Sequence, residues 1–127
     1  MPRNAIQPDG LAPPGPPYSP VVVSGDHVFT AGQIAQDADG NLVGDTIEEQ
    51  TRQVLENLRT CLEAAGSSLK NVLKCTIYIT NTAYFDEVNR VYRRYFTKDQ
   101  PARVFCVVGS WPKKFDVEID AIAIVDD

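Results

Sequence analysis

Arg103 opens the run PARVFCVV, where its neighbours are Val104, Phe105, Cys106, Val107 and Val108. The segment that follows, FDVEIDAIAI, carries Asp116, Glu118 and Asp120 at alternate positions. A guanidinium presents paired donors that match a planar carboxylate, and a carboxylate beside it can hold or move a proton on water. If both segments are strands paired with Val108 facing Phe115, then Arg103, Phe105 and Val107 stand across from Asp120, Glu118 and Asp116. Cross-strand partners share a sheet face, so cation and proton acceptor would border one small space. A slip of one residue puts Arg103 and Glu118 on opposite faces and removes that arrangement. The same pairing also describes an ion pair on a solvated sheet edge, and the residue types alone leave both readings open.

Other residues able to do chemistry are sparse. Cys61, Cys75 and Cys106 are far apart, and His27 is the single histidine. Such spacing gives neither a metal-ligand set nor a disulfide framework. Cys106 reads as a core thiol, with nothing cationic placed to activate it. His27 falls in a turn and reads as a surface residue. Arg90, Arg93, Arg94 and Lys98 recur at helical spacing, the pattern of a solvated helix face.

The chain must supply elements to carry these groups, and its 127 residues suit one domain with a real core. A net charge of −5 repels polyanions, so nucleic acid is not the expected partner. No stretch is long and apolar enough to span a membrane, and the N-terminus lacks a signal-peptide core. A cytoplasmic protein with reduced thiols is expected.

Six prolines between residues 8 and 20 exclude a helix or an inner strand there, so residues 1–17 are expected as an extended, proline-rich arm. The run VVVSGDHVFT reads as a hairpin around Ser24-Gly25-Asp26. Residues 45–66 read as a helix that begins with an Asp45–Glu48 capping box and stops at Gly66. Its apolar stripe is Val54, Leu55, Leu58, Cys61, Leu62 and Ala65. NVLKCTIYIT reads as a strand. A second helix starts near Asn81 or Thr82, with Phe85, Val88, Tyr92, Tyr95 and Phe96 inward. Asn89 falls on that inward face, about 40° from Phe85 at 100° per residue. Strands over 103–108 and 115–125 flank GSWPKK, in which Trp111 is a loop packing residue. This order predicts an α+β domain with one mixed β-sheet and two helices packed on one face. The bare sheet face is an expected association surface.

Four strings, GPPYSP, FTAGQI, FDEVNRVYRRYF and PARVFCVV followed by DVEIDAIAI, resemble in order and spacing the segments of the RidA (YjgF) family. The likeness runs from about Tyr18 to the end, and the PAR and EIDAIA strings are its most specific parts. It implies a chorismate-mutase-like fold, assembled as a homotrimer with clefts between subunits. It also implies hydrolysis of reactive enamines and imines, such as 2-aminoacrylate and 2-aminocrotonate, to 2-oxo acids and ammonia, with no PLP, metal or other cofactor. By position, Arg103 matches the arginine that holds the substrate carboxylate, and Glu118 matches the acidic residue of the hydrolytic water. Tyr18, Gly32 and Asn89 match cleft residues. The implied partner is a small enamine or imine bearing a carboxylate.

Two positions depart from the family pattern: Ala31 stands where many members have serine, and Phe105 stands two residues after the arginine, where several have cysteine. The first removes a hydroxyl contact, and the second places a ring among the substrate-binding residues. A non-catalytic small-molecule binder or regulator with the same cleft is the alternative reading. An endoribonuclease or translation inhibitor, labels that the family also carries, fits poorly with the negative charge.

Overall fold

The structure is a computed structural model that describes residues 2–127. The β-branched runs on either side of Gly25 pair as a hairpin of β2 (Val21–Ser24) and β3 (His27–Thr30), and Gly25 adopts φ 60° in the turn. An additional strand, β1 (Arg3–Ile6), pairs antiparallel with β2 at the outer edge. The expected N-terminal arm thus begins as an edge strand and turns irregular only where the prolines remove backbone donors.

Helix α1 spans Ile47–Ala64. Its cap is Thr46 rather than the expected Asp45: Thr46 Oγ1 accepts from the Glu49 amide at 3.1 Å and donates to Glu49 Oε1 at 2.9 Å. The cap is therefore one residue later than the sequence suggested, with a side-chain bond in place of the reciprocal backbone bond of a capping box, and a cap of this kind contributes about 1 kcal/mol. Gly66, at φ 77°, ends the helix as expected. Strand β4 (Val72–Ile79) follows a short 3-10 turn, and Asn81 caps a second one through the Ala83 amide at 2.9 Å. Helix α2 then runs over Phe85–Tyr95. Val88, Val91 and Tyr92 are its buried residues, whereas Phe85 is 43% exposed. Val91 was not expected inward, and Phe85 was.

Strands β5 (Ala102–Val107) and β6 (Val117–Ile124) complete one six-stranded sheet in the order β1-β2-β3-β6-β4-β5. β4 and β5 are parallel, joined by α2 as a crossover, and the other pairs are antiparallel. This corrects the expected pairing of β5 with β6, because β4 lies between them. The reason lies in the strands themselves. β6 buries Val117, Ile119, Ala121 and Ala123 to 1% exposure or less and takes a central position. β5 carries Arg103 and the exposed Val104 and Val107, which suit an edge.

Both helices cover one face. Leu55, Leu58 and Leu62 of α1 and Val88 and Val91 of α2 meet Cys75, Ile77, Ile79 and Ile119 in one core. Truncation of a residue such as Leu58, fully buried there, costs about 2–5 kcal/mol. Burial pushes the Cys61 thiol up to about 12, and Cys75 to about 11 with burial as the larger cause. The other face bears Phe29, Val104, Cys106, Tyr78, Asp120 and Glu118 and no helix. Among the described residues, no helix is long and apolar enough to cross a membrane.

Candidate active site

The new strand order fixes where Arg103 and Glu118 point. Arg103 aligns with Cys75 on β4, and Cys75 aligns with Ala121 on β6, so Arg103 faces the helices. Glu118 aligns with Tyr78 and, one strand on, with Cys106, which is the bare face. The two residues therefore lie on opposite sides of the sheet within one chain, and the shared space expected from a β5–β6 pairing does not form. Each instead lines a hollow of its own, and the two hollows are the candidate half-sites.

The Arg103 half sits between α2 and β5, which run past each other so that Phe85 meets Phe105 and Asn89 meets Arg103. Arg103 Nη1 donates to Asn89 Oδ1 at 2.7 Å. The guanidinium carbon lies 5.1 Å from the Tyr92 ring centroid and 5.2 Å from that of Phe105, within cation–π range. Phe85 and Phe105 meet edge to face at 4.7 Å. Asn89 reaches Arg103 because residues 85, 89 and 92 share one side of α2, as the helical period requires. Phe85, Asn89, Tyr92, Arg93, Gln100, Pro101 and Arg103 line a cleft of about 510 Å³. No carboxylate pairs with Arg103 among the described residues, so its remaining donors are available to an anionic ligand. Tyr92 is 4% exposed, and burial pushes its hydroxyl above the ordinary tyrosine range. Its ring is thus a neutral support for the cation.

The Glu118 half lies where the segment after β3 crosses β6. Backbone bonds between Gln33 and Ile119, at 2.8 and 3.1 Å, pin that segment to the strand. Buried Asn57 of α1 steadies it further by donating to Ile34 O at 3.0 Å and Gln36 O at 2.9 Å. Gly32 is thereby held against the acid: a Cβ added there would stand 2.6 Å from the Glu118 carboxyl carbon. Any larger residue there would push the Glu118 carboxyl out of its present position. Tyr18, Lys113 and Phe115 border the same hollow of about 190 Å³, and Trp111 stacks on Phe115 at 4.3 Å. Burial, and secondarily the Asp120 charge, raise Glu118 above the ordinary glutamate range, while Tyr78 Oη donates to Asp120 at 3.3 Å. A carboxyl so placed holds its proton to higher pH than an exposed one.

Tyr18, Gly32 and Glu118 are brought together on one side, and Asn89, Phe105 and Arg103 on the other. Sequence reasoning missed Tyr92 as the support of the guanidinium, although it placed that ring inward. It also missed Arg93, whose position one turn after Asn89 was the available signal, and Lys113. Among the described residues, no three His, Cys, Asp or Glu side chains converge as a metal centre. Cys106 lies on the bare face, and His27 pairs with Asp26 at 2.9 Å in the hairpin turn.

Comparison with known proteins bears on this geometry. The family model described as Endoribonuclease L-PSP matches residues 10–125. A RutC family protein of Pyrococcus horikoshii is 44% identical over 122 residues, covering 95% of this chain and 92% of that protein. The human 2-iminobutanoate/2-iminopropanoate deaminase is 37% identical over 109 residues, covering 85% of this chain and 80% of the human one. Among solved structures, Escherichia coli TdcF with bound serine superposes with a TM-score of 0.90 at 32% identity, covering 97% of this chain and 99% of TdcF. A Thermotoga maritima protein described as a putative endoribonuclease gives 0.92 at 45% identity, with 98% of each chain covered. On the strength of the matched segment, the identities and the shared fold, this chain belongs to the Endoribonuclease L-PSP family, also called RidA or YjgF.

Proposed function

We propose that the protein hydrolyses small enamines and imines that carry a carboxylate, such as 2-aminoacrylate or 2-aminocrotonate, giving 2-oxo acids and ammonia. The observation that carries this reading is the Arg103 guanidinium, oriented by an uncharged acceptor and left without a carboxylate partner in an open cleft. The human and bovine relatives named as deaminases support it.

The two half-sites face away from each other in one chain, so the working site joins two protomers of a homotrimer. The Arg103 half of one protomer holds the substrate carboxylate, with Asn89 orienting the guanidinium and Phe105 forming an apolar wall. The Glu118 half of its neighbour, with Tyr18 and Gly32, closes the cleft from the other side. Glu118 in its acid form protonates the enamine β-carbon, which gives an electrophilic iminium. As the carboxylate it then takes a proton from water as the oxygen adds to C2. Collapse of the carbinolamine breaks the C–N bond and releases ammonia. Orientation and one proton carrier suffice for this sequence, and no cofactor is called for.

An endoribonuclease reading has less behind it. The single histidine is exposed, and its cross-strand partner Ile124 is at the other end of β6 from Glu118. The deciding experiment couples a threonine or serine dehydratase, which releases the enamine, to measurement of 2-oxo acid formation. Addition of the protein should accelerate the product's appearance. A rate equal to that of spontaneous hydrolysis, from a folded sample, would refute the proposal.

A further inference from the structure

Two guanidiniums in the same cleft pair with no carboxylate among the described residues. Of the three arginines on α2, Arg90 pairs with Glu48 and Glu87, and Arg94 pairs with Glu48. Arg93 pairs with no carboxylate among the described residues, nor does Arg103, and both line the 510 Å³ cleft. No Asp or Glu lines it. The chain has 17 acidic residues against 12 basic, so acids are plentiful and this cleft is left without them. Two like charges facing one concave space concentrate a positive field there, which a ligand with two negative charges satisfies best.

The spacing suits such a ligand. Asn89 and Arg93 are four residues apart on α2, neighbours on one face at about 5–6 Å between Cβ atoms. Asn89 grips Arg103, so Arg93 stands one turn beyond the clamp, where Gln100 and Pro101 complete the wall. One helical turn, about 5.4 Å along α2, is of the order of the span between the carboxylates of a short diacid.

We infer that the preferred substrate class is the dicarboxylic 2-imino acids, with the α-carboxylate on Arg103 and the distal carboxylate on Arg93. The inference rests on the imine-hydrolase reading above. The reaction balances in the same way: water adds to C2, the C–N bond breaks, and a 2-oxo diacid and ammonia leave. A large apolar side chain would instead lie against Phe85, whose ring meets that of Phe105.

The test measures binding of stable products by calorimetry, with turnover measured in parallel. The probes are 2-oxoglutarate, 2-oxobutanoate and phenylpyruvate, and the imines are made in situ by flavin oxidases acting on D-glutamate, D-aspartate and D-alanine. The parent should bind 2-oxoglutarate at least about tenfold more tightly than 2-oxobutanoate, as one added charge-assisted contact implies. Arg93→Gln should bring that ratio close to one, and Arg93→Lys should keep part of it. Equal affinities in the parent, a ratio unmoved by Arg93→Gln, or tightest binding of phenylpyruvate would overturn the inference. Turnover of 2-iminopropanoate without preference for the dicarboxylic imines would overturn it while leaving the hydrolase reading intact. Absence of turnover on every imine would overturn the hydrolase reading, and the binding ratio would still decide whether Arg93 selects a diacid.

Discussion

Arg103 Nη1 donates to Asn89 Oδ1 at 2.7 Å, and the acceptor is an amide rather than a carboxylate. An amide oxygen orients a guanidinium without neutralising it. Asn89→Ala should therefore loosen the clamp, with KM raised on the order of 3- to 10-fold for the loss of one hydrogen bond. Asn89→Asp should do worse, because its carboxylate competes with the substrate for Arg103. Steady-state kinetics on both variants would check the order, and an aspartate variant more active than the alanine one would contradict it.

Arg103 itself should show the larger effect. Removing one member of a desolvated charged pair costs about 2–5 kcal/mol, so Arg103→Ala should lower kcat/KM by roughly 30-fold to a few thousand-fold. Arg103→Lys should recover little, since a point charge cannot present the planar fork and stacks less well between Tyr92 and Phe105. Near-normal turnover by a folded Arg103→Ala protein would make the arginine structural.

On the other side of the sheet, Gly32 lies directly against the Glu118 carboxyl. Gly32→Ala would drive a methyl into the Glu118 carboxyl, so activity should drop at least about tenfold while the fold persists, measured by circular dichroism beside the assay. Because burial raises the folded-state pKa of Glu118 above its unfolded value, its contribution is full below the unfolded value and is lost as pH rises through the folded one. At neutral pH the ionised acid is therefore a net cost. Glu118→Gln should melt higher than the parent there, and the two melting temperatures should converge in acid. A variant that melts lower at neutrality would show that the carboxylate is stabilising.

Much of the layout was legible in the residues, and the failures have physical causes. The alternation of β6 and the stripe of α1 are local patterns, and both elements form where those patterns run. Strand order is not local. FCVV and DVEIDAIAI are separated by a turn-like segment and read as a hairpin, yet the β4–α2–β5 crossover sends β5 to the edge and leaves β6 to pair with β4. β1 was missed because RNAI has no alternation and stands before the prolines. Helical period placed Asn89 inward, and its match to a cleft residue came from the family resemblance. Arg93 was folded into a solvated basic face, which holds for Arg90 and Arg94 with their glutamates but not for the arginine that lines the cleft.

The opposite orientation of Arg103 and Glu118 yields a test that needs no structure of the assembly. If each site takes its arginine from one protomer and its acid from the next, Arg103→Ala and Glu118→Gln are defective in different halves. Unfolding the two variants together and refolding them as mixed trimers creates sites in which both halves are intact. Random assembly gives an intact arginine half at one site in two and an intact acid half independently at one in two, hence activity of about a quarter of the parent's. Each variant refolded alone should stay near its own residual rate. Light scattering would confirm that the refolded species are trimers, and a single-protomer mass at micromolar concentration would remove the basis of the experiment's design and of the composite site alike. A mixture of trimers no more active than the average of its two components would mean that both groups act from one chain, which the sheet between them forbids, or that one of them is not part of the site.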